Sequence, residues 1–242
     1  MKERIYCFLI LALATLGSNN FMAQTKTIVT FGDSITAPRK NVTTYSDLIR
    51  EEFQKKHLNV KVINAGVPGD TTAKAKERFE KDVLAHNPDL VIIQLGTNDA
   101  AVDVWKKPPA TESRVSIEDY EQKLSEFIAK LKERKAKIIL VTPPPTRWTE
   151  KLKEMYGKPP YDPNDEDGFN VILKNYVQRM RMVAKKEKVV LIDLNKEYYK
   201  YHKAEGRTMD DLFLDGMHPN NKGQNLEAEL LLKQIKKLEL GL

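Results

Sequence analysis

Three polar side chains in this 242-residue chain are of types that catalyse acyl transfer, and each lies in or beside a glycine turn. Ser34 ends the motif Gly-Asp-Ser, Asn98 lies in Gly-Thr-Asn-Asp, and His218 follows Asp215 by three residues. A serine hydroxyl beside a histidine can act as a nucleophile, and a nearby carboxylate can orient the imidazole. A side-chain amide, or the backbone N–H groups at a turn such as that of Gly69, can donate to an oxyanion. These residue types predict a nucleophilic site if the fold brings them together.

Each motif also has a purely structural interpretation. Taken alone, the Ser34 motif is more typical of a turn that caps a helix. Gly69 equally suits a turn in which Asp70 caps the next helix, Asn98 suits an Asx-turn, and Asp215 suits a loop cap beside a surface histidine. The spacing of Asp215 and His218 favours the catalytic interpretation by itself, whereas the other three motifs favour it only through their joint occurrence at one edge of the predicted fold.

The histidines narrow the choice of base. The chain has four of them. His57 and His86 lie at predicted helix ends, and His202 lies in a polar helical stretch. His218 lies instead in a loop with glycine and proline, with a carboxylate three residues before it, and it is therefore the predicted base.

The elements that must position these residues alternate along the chain. Short, largely apolar runs predict five strands buried on both faces, at 27–31, 60–63, 90–95, 138–141 and 189–194. Amphipathic patterns predict helices at 45–57, 72–86, 117–134, 169–187 and 225–240. The alternation predicts an α/β fold with a parallel sheet and ligands at the carboxyl ends of its strands. Ser34, Gly69 and Asn98 follow the first three strands, and His218 precedes the last helix.

Composition restricts the classes of function. An apolar fraction of 41% is enough for one sizeable core, and the pattern indicates one domain. The single cysteine, Cys7, excludes an internal disulfide and a thiolate zinc site. The net charge of +6 is modest and comes with no long basic block, so nucleic-acid binding is not predicted.

The first 23 residues are typical of a secretory signal peptide. A charged start precedes the apolar run 5–16, whose 12 residues are too few for a membrane span of roughly 20. Cleavage after Ala23 would leave a domain at 24–242 and no stable membrane insertion. The predicted location is therefore secreted or periplasmic; a buried N-terminal helix or an uncleaved anchor is the alternative.

In order and type, the four motifs resemble the SGNH (GDSL-like) hydrolases, and they extend from residue 32 to residue 218. The resemblance implies a flavodoxin-like three-layer α/β/α sandwich with a five-stranded parallel sheet and no metal or organic cofactor. It implies a serine esterase with Ser34 as nucleophile, His218 as base and Asp215 as its partner. It also implies an oxyanion hole formed by the N–H groups of Ser34 and Gly69 and the side chain of Asn98.

The sequence indicates the substrate class less clearly than it indicates the type of reaction. Two long loops, at 100–115 and 143–168, carry Trp105, Arg147 and Trp148, which we predict to contact substrate; rings that pin the loops and a surface arginine are the alternatives. These stretches look like secreted bacterial carbohydrate esterase-like members, which favours removal of O-acetyl groups from a glycan or a small-molecule ester. A lysophospholipase or thioesterase, a non-catalytic carbohydrate-binding relative and a phosphate-handling protein remain alternatives, and the sequence does not indicate an oligomeric state.

Overall fold

A five-stranded parallel sheet lies at the centre of this computed structural model, which describes residues 25–238 and residue 240. Its strands are β1 Lys26–Gly32, β2 Val60–Gly66, β3 Leu90–Gln94, β4 Lys137–Val141 and β5 Val190–Ile192. They are arranged in the order β2-β1-β3-β4-β5, and β1 pairs with both β2 and β3. Every residue of β3 is buried, as expected for the middle strand of a sheet covered on both faces. The predicted α/β class and parallel sheet are confirmed.

Seven α-helices connect and flank these strands in the described part of the chain. They are α1 Tyr45–Lys55, α2 Thr72–Asp82, α3 Ile117–Glu133, α4 Glu150–Tyr156, α5 Leu173–Glu187, α6 Leu194–His202 and α7 Asn221–Ile235. Single 3₁₀ turns occupy Leu84–His86, Met209–Leu212 and Lys236–Leu238.

All of these helices except α4 form two layers, because each presents an apolar stripe to one face of the sheet, whereas α4 packs in a separate cluster of loop residues. One core cluster joins α2, α3 and α5 to the sheet, with Phe79 and Phe127 packed at a ring-centroid distance of 4.5 Å. A second cluster joins α1, α6 and α7 to the opposite face around Ile49, Tyr198 and Leu231. The result is the expected three-layer α/β/α sandwich.

Several element boundaries differ from the predicted ones. The predicted strand 189–194 is shorter, because Asp193 caps α6 by accepting from the N–H of Lys196 and turns the chain into a helix. The predicted last helix starts at 225, whereas α7 starts at Asn221, after the side chain of Asn220 accepts from the N–H of Gly223. Helix α4, within the long loop after β4, was not predicted at all.

The predicted signal peptide at 1–23 lies outside the described residues. Within residues 25–238 and at residue 240, no helix is long and apolar enough to cross a membrane.

Candidate active site

Ser34 lies on a tight turn at the carboxyl end of β1. Asp33 stabilises this turn by accepting from the N–H of Ile35 at 2.9 Å. Gly32 is required just before it, because a Cβ there would collide with the Thr36 hydroxyl and approach the carbonyl of Gln94 to 2.7 Å. The turn therefore leaves the Ser34 hydroxyl free to face the loop that precedes α7.

His218 and Asp215 in that loop complete a hydrogen-bonded chain to Ser34. The Nε2 of His218 lies 3.0 Å from the Ser34 Oγ, and its Nδ1 lies 2.8 Å from Asp215 Oδ2. Since an ionised carboxylate only accepts, Nδ1 carries the proton, and Nε2 is free to accept from the serine. The imidazole thus has the tautomer that a general base needs.

Asp215 is held in its charged form. Partial burial acts to raise its pKa, but the His218 ring and the N–H groups of His218 and Met217 all donate to the carboxylate and hold the pKa well below its usual range. The loop turns at Gly216, which has φ +82° and where a Cβ would collide with the carbonyl of Arg147. Glycine is needed there for both reasons.

Two backbone N–H groups in the turns that follow β1 and β2 are unpaired within the described part of the chain. The N–H groups of Ser34 and Gly69 have no acceptor among the described residues. Gly69 has φ +78°, and no atom lies within 4 Å of the position that its Cβ would take. Both N–H groups are therefore available to an anionic oxygen of a ligand.

Asn98 follows β3 and contacts the sequence neighbour of each of these two residues. Its Nδ2 donates to the carbonyl of Asp70 at 3.0 Å and, over a longer 3.3 Å, to Asp33. Its Oδ1 accepts from Arg114 at 3.1 Å, and this contact orients the amide with its N–H groups towards the Ser34 turn. Arg114 is held in turn by Asp103, which accepts from it through both carboxylate oxygens. Sequence reasoning missed Arg114, because no spacing signal links it to Asn98.

The carboxyl groups under the site are strongly perturbed. Burial raises the pKa of Asp33 to about 7, with the nearby charges of Asp99 and Asp70 adding to the increase. Burial also raises the pKa of Asp99 to about 6, although the N–H and hydroxyl of Thr72 both donate to it. Near neutral pH, Asp33 is therefore protonated in a substantial fraction of molecules, whereas Asp99 is mostly ionised.

Arg78 on α2 is a second residue that sequence reasoning missed. It donates to Asp70 at 2.6 Å and to the carbonyls of Ala65 and Gly32 at 2.8 and 3.0 Å. Its guanidinium also lies 4.6 Å from the centre of the Phe31 ring. One side chain thus connects the ends of β1 and β2 to the loop that carries Gly69.

The three predicted substrate contacts lie in different environments. Arg147 pairs with Glu166 at 2.6 Å and Asp210 at 3.1 Å. Trp148 stacks on Phe169 at a centroid distance of 4.5 Å and donates through Nε1 to two loop carbonyls. Trp105 is 46% exposed. The first two therefore brace the loop after β4, whereas Trp105 presents its ring to solvent.

Comparison with known proteins agrees with this geometry. A relative from Geobacillus stearothermophilus, an acetylxylan esterase, is 26% identical over 181 residues, which are 74% of this chain and 73% of that protein. A solved acetylxylan esterase structure from the same organism superposes with a TM-score of 0.69 at 25% identity, covering 87% of this chain and 94% of the other. An acetylxylan esterase of Xylanibacter ruminicola is 32% identical over 64% of this chain and 30% of that longer protein. The lipase/acylhydrolase of Enterococcus faecalis superposes with a TM-score of 0.66 at 28% identity, covering 88% and 96% of the two chains.

The family itself is shown by a direct match. The sequence model of the GDSL-like Lipase/Acylhydrolase family matches residues 30–226, which include all four motifs. The resemblance to SGNH hydrolases is thereby confirmed. The chain belongs to the GDSL-like lipase/acylhydrolase family, and it is a serine esterase that acts on ester bonds.

Proposed function

We propose that Ser34 is the nucleophile of this esterase, that His218 is its general base and that Asp215 orients His218. The observation that carries the proposal is the continuous hydrogen-bonded chain, with 3.0 Å from Ser34 to His218 and 2.8 Å from His218 to Asp215. Both distances lie within hydrogen-bond reach, so His218 can take the proton of Ser34 while Asp215 holds the imidazole in place.

In the proposed reaction, His218 Nε2 takes the proton of Ser34 as Oγ attacks the ester carbonyl carbon. The tetrahedral oxyanion accepts from the N–H groups of Ser34 and Gly69 and from Asn98 Nδ2. The long 3.3 Å bond from Asn98 to Asp33 leaves one amide N–H able to turn towards that oxygen at little cost. His218 then protonates the leaving alcohol, and it later activates the water that hydrolyses the acyl-enzyme.

We further propose that the natural substrates are O-acetylated carbohydrates. Two of the relatives above are acetylxylan esterases, which supports a carbohydrate ester at this site. The exposed ring of Trp105, on the loop after β3, offers the flat apolar face that sugar rings stack on. Arg147 and Trp148 remain predicted contacts, and a secreted or periplasmic location remains part of the proposal.

A substrate panel tests the carbohydrate assignment. It compares acetylated xylooligosaccharide, short- and long-chain p-nitrophenyl esters and a lysophospholipid, each with the unmodified protein and with Ser34→Ala. We expect release of acetate from the acetylated sugar at the highest kcat/KM, and no release by Ser34→Ala. A clear preference for the long acyl chains would contradict the carbohydrate assignment and favour a lysophospholipase or thioesterase.

A further inference from the structure

A small cavity lies beside the candidate active site, between the loops that follow β3 and β4. Thr97 and Met217 line it, and these residues are next in sequence to Asn98 and His218. Ala101, Thr146 and Phe169 form part of its remaining wall. The cavity therefore lies next to both the proposed amide donor and the proposed base.

The size and lining of the cavity restrict what can occupy it. Its volume is about 30 Å³. A single water needs about 10–15 Å³ by this measure, so there is room for about two groups of that size. Most of the lining is apolar, from aromatic rings and alanine methyl groups. A methyl or ethyl group fits this space, whereas a sugar ring does not.

Thr97 presents its apolar atoms to the cavity, although the residue is a threonine. Its Oγ1 is buried, and it has no hydrogen-bond partner among the described residues. A molecule in the cavity therefore meets the apolar part of Thr97, which suits a methyl group better than a polar one.

From these observations, we propose that this cavity receives the acyl group of the ester and limits the enzyme to acetyl and propionyl esters. The inference deepens the proposed function and rests on its assignment of Ser34. When Oγ attacks, the carbonyl oxygen lies at the donors of Ser34, Gly69 and Asn98, and the acyl methyl points past Thr97 into the cavity. Met217 and Ala101 then set the acyl length, because their side chains limit the space inside the cavity.

A neighbouring groove is the competing location. It is larger, about 430 Å³, and it is lined by Met155, Lys151 and Asp215, with Met217 at the boundary between the two spaces. An acyl chain longer than two carbons would also fit in this groove. Met155 is 38% exposed and lines only this groove, so its replacement is a matched control for that of Met217.

The test measures kcat/KM for p-nitrophenyl acetate, propionate, butyrate and hexanoate. Because the alcohol is the same throughout, recognition of the sugar does not affect the comparison. Met217→Ala should raise the butyrate-to-acetate ratio about 10-fold or more, as one or two methylenes typically change discrimination. Ala101→Leu should lower the propionate-to-acetate ratio by about the same factor, and Met155→Ala should leave both ratios unchanged.

The outcomes distinguish the assignment of the cavity as the acyl site from the proposed function on which it rests. If Ala101→Leu keeps the propionate-to-acetate ratio of the unmodified enzyme, or if Met155→Ala raises the butyrate-to-acetate ratio, the cavity is not the acyl site, while the proposed function stands. Activity on none of the esters by the unmodified enzyme would overturn both. Because each readout is a ratio within one variant, a general loss of activity does not imitate the effect. Ala101→Leu tests the assignment even if Met217→Ala fails to fold.

Discussion

Arg114 donates to the Oδ1 of Asn98 at 3.1 Å and thereby determines which end of that amide faces Ser34. An amide can bind in either of two orientations, and only one presents N–H groups to an oxyanion. Arg114 is itself fixed by the buried carboxylate of Asp103, whose side chain is 4% exposed. The donor geometry thus depends on a residue that is itself outside the proposed oxyanion hole.

Removing this positioning contact should lower the rate without abolishing it. We expect Arg114→Ala to reduce kcat about 10- to 100-fold with a smaller change in KM, since a misplaced catalytic group costs up to about 100-fold. Steady-state kinetics on p-nitrophenyl acetate measures the split. Arg114→Lys should lose less, because it keeps a cation beside Asp103.

Arg134 provides the matched control. It lies at the end of α3, and its ion pair with Glu80 is a loose 3.8 Å. Arg134→Ala should leave kcat unchanged, and thermal unfolding of both arginine variants checks that they are folded. An Arg114→Ala enzyme with full kcat would show that Asn98 does not depend on this contact.

Asn98 itself should contribute one donor to the transition state. Losing one oxyanion donor typically costs about 10²–10³ in turnover, or about 3–4 kcal/mol. We therefore expect Asn98→Ala to lose activity by that factor. Discontinuous assays at high enzyme concentration can measure the remaining rate, and circular dichroism can confirm the fold. Turnover equal to that of the unmodified protein would remove Asn98 from the oxyanion hole.

Glu227 on α7 predicts a pH dependence of stability that is separate from catalysis. Both carboxylate oxygens are buried without a hydrogen-bond partner among the described residues, and burial raises the pKa from 4.5 to about 8. Between these values the folded protein keeps a proton that the unfolded chain has released. The free energy of unfolding therefore falls as pH rises through this range, by at most about 5 kcal/mol at about 1.4 kcal/mol per pKa unit.

Glu227→Gln removes the ionisation and should flatten this dependence. We expect its Tm to exceed that of the unmodified protein by at least about 5 °C at pH 9 and to match it at pH 4. Some slope should remain, because the pKa values of Asp33 and Asp99 are raised in the same sense. The exposed Glu229 on the same helix is the control, and Glu229→Gln should follow the unmodified protein. If Tm changes with pH in the same way for Glu227→Gln and the unmodified protein, ionisation of the buried Glu227 carboxyl does not destabilise the fold.

Sequence reasoning predicted the fold class because its signals are local. The five apolar runs are buried on both faces, and such runs with glycine at their ends have few other interpretations. The same locality explains the wrong start of the last helix. Gly223 weakens the helical pattern, yet the structure needs it, since a Cβ there would approach Leu212 and Tyr198 to within 2.5 and 2.6 Å.

The site was only partly predictable for a related reason. Ser34, Asn98, Asp215 and His218 lie in distinctive short motifs, so their types and order suggested one chemistry. Arg114 and Arg78 act through side chains that cross between loops and strands, and such contacts have no fixed sequence spacing. The bracing of Arg147 by Glu166 and Asp210 was equally hidden, because these residues are 19 and 63 positions away.

Covalent labelling tests the central claim, that Ser34 is the nucleophile, most directly. The protein is treated with a fluorophosphonate, and the modified residue is located by peptide mass spectrometry. We predict one adduct per chain, on Ser34, with loss of esterase activity in proportion to labelling. Ser34→Ala should take up no label, whereas Ser113→Ala should label like the unmodified protein. An adduct on another residue, or esterase activity retained by Ser34→Ala, would contradict the account.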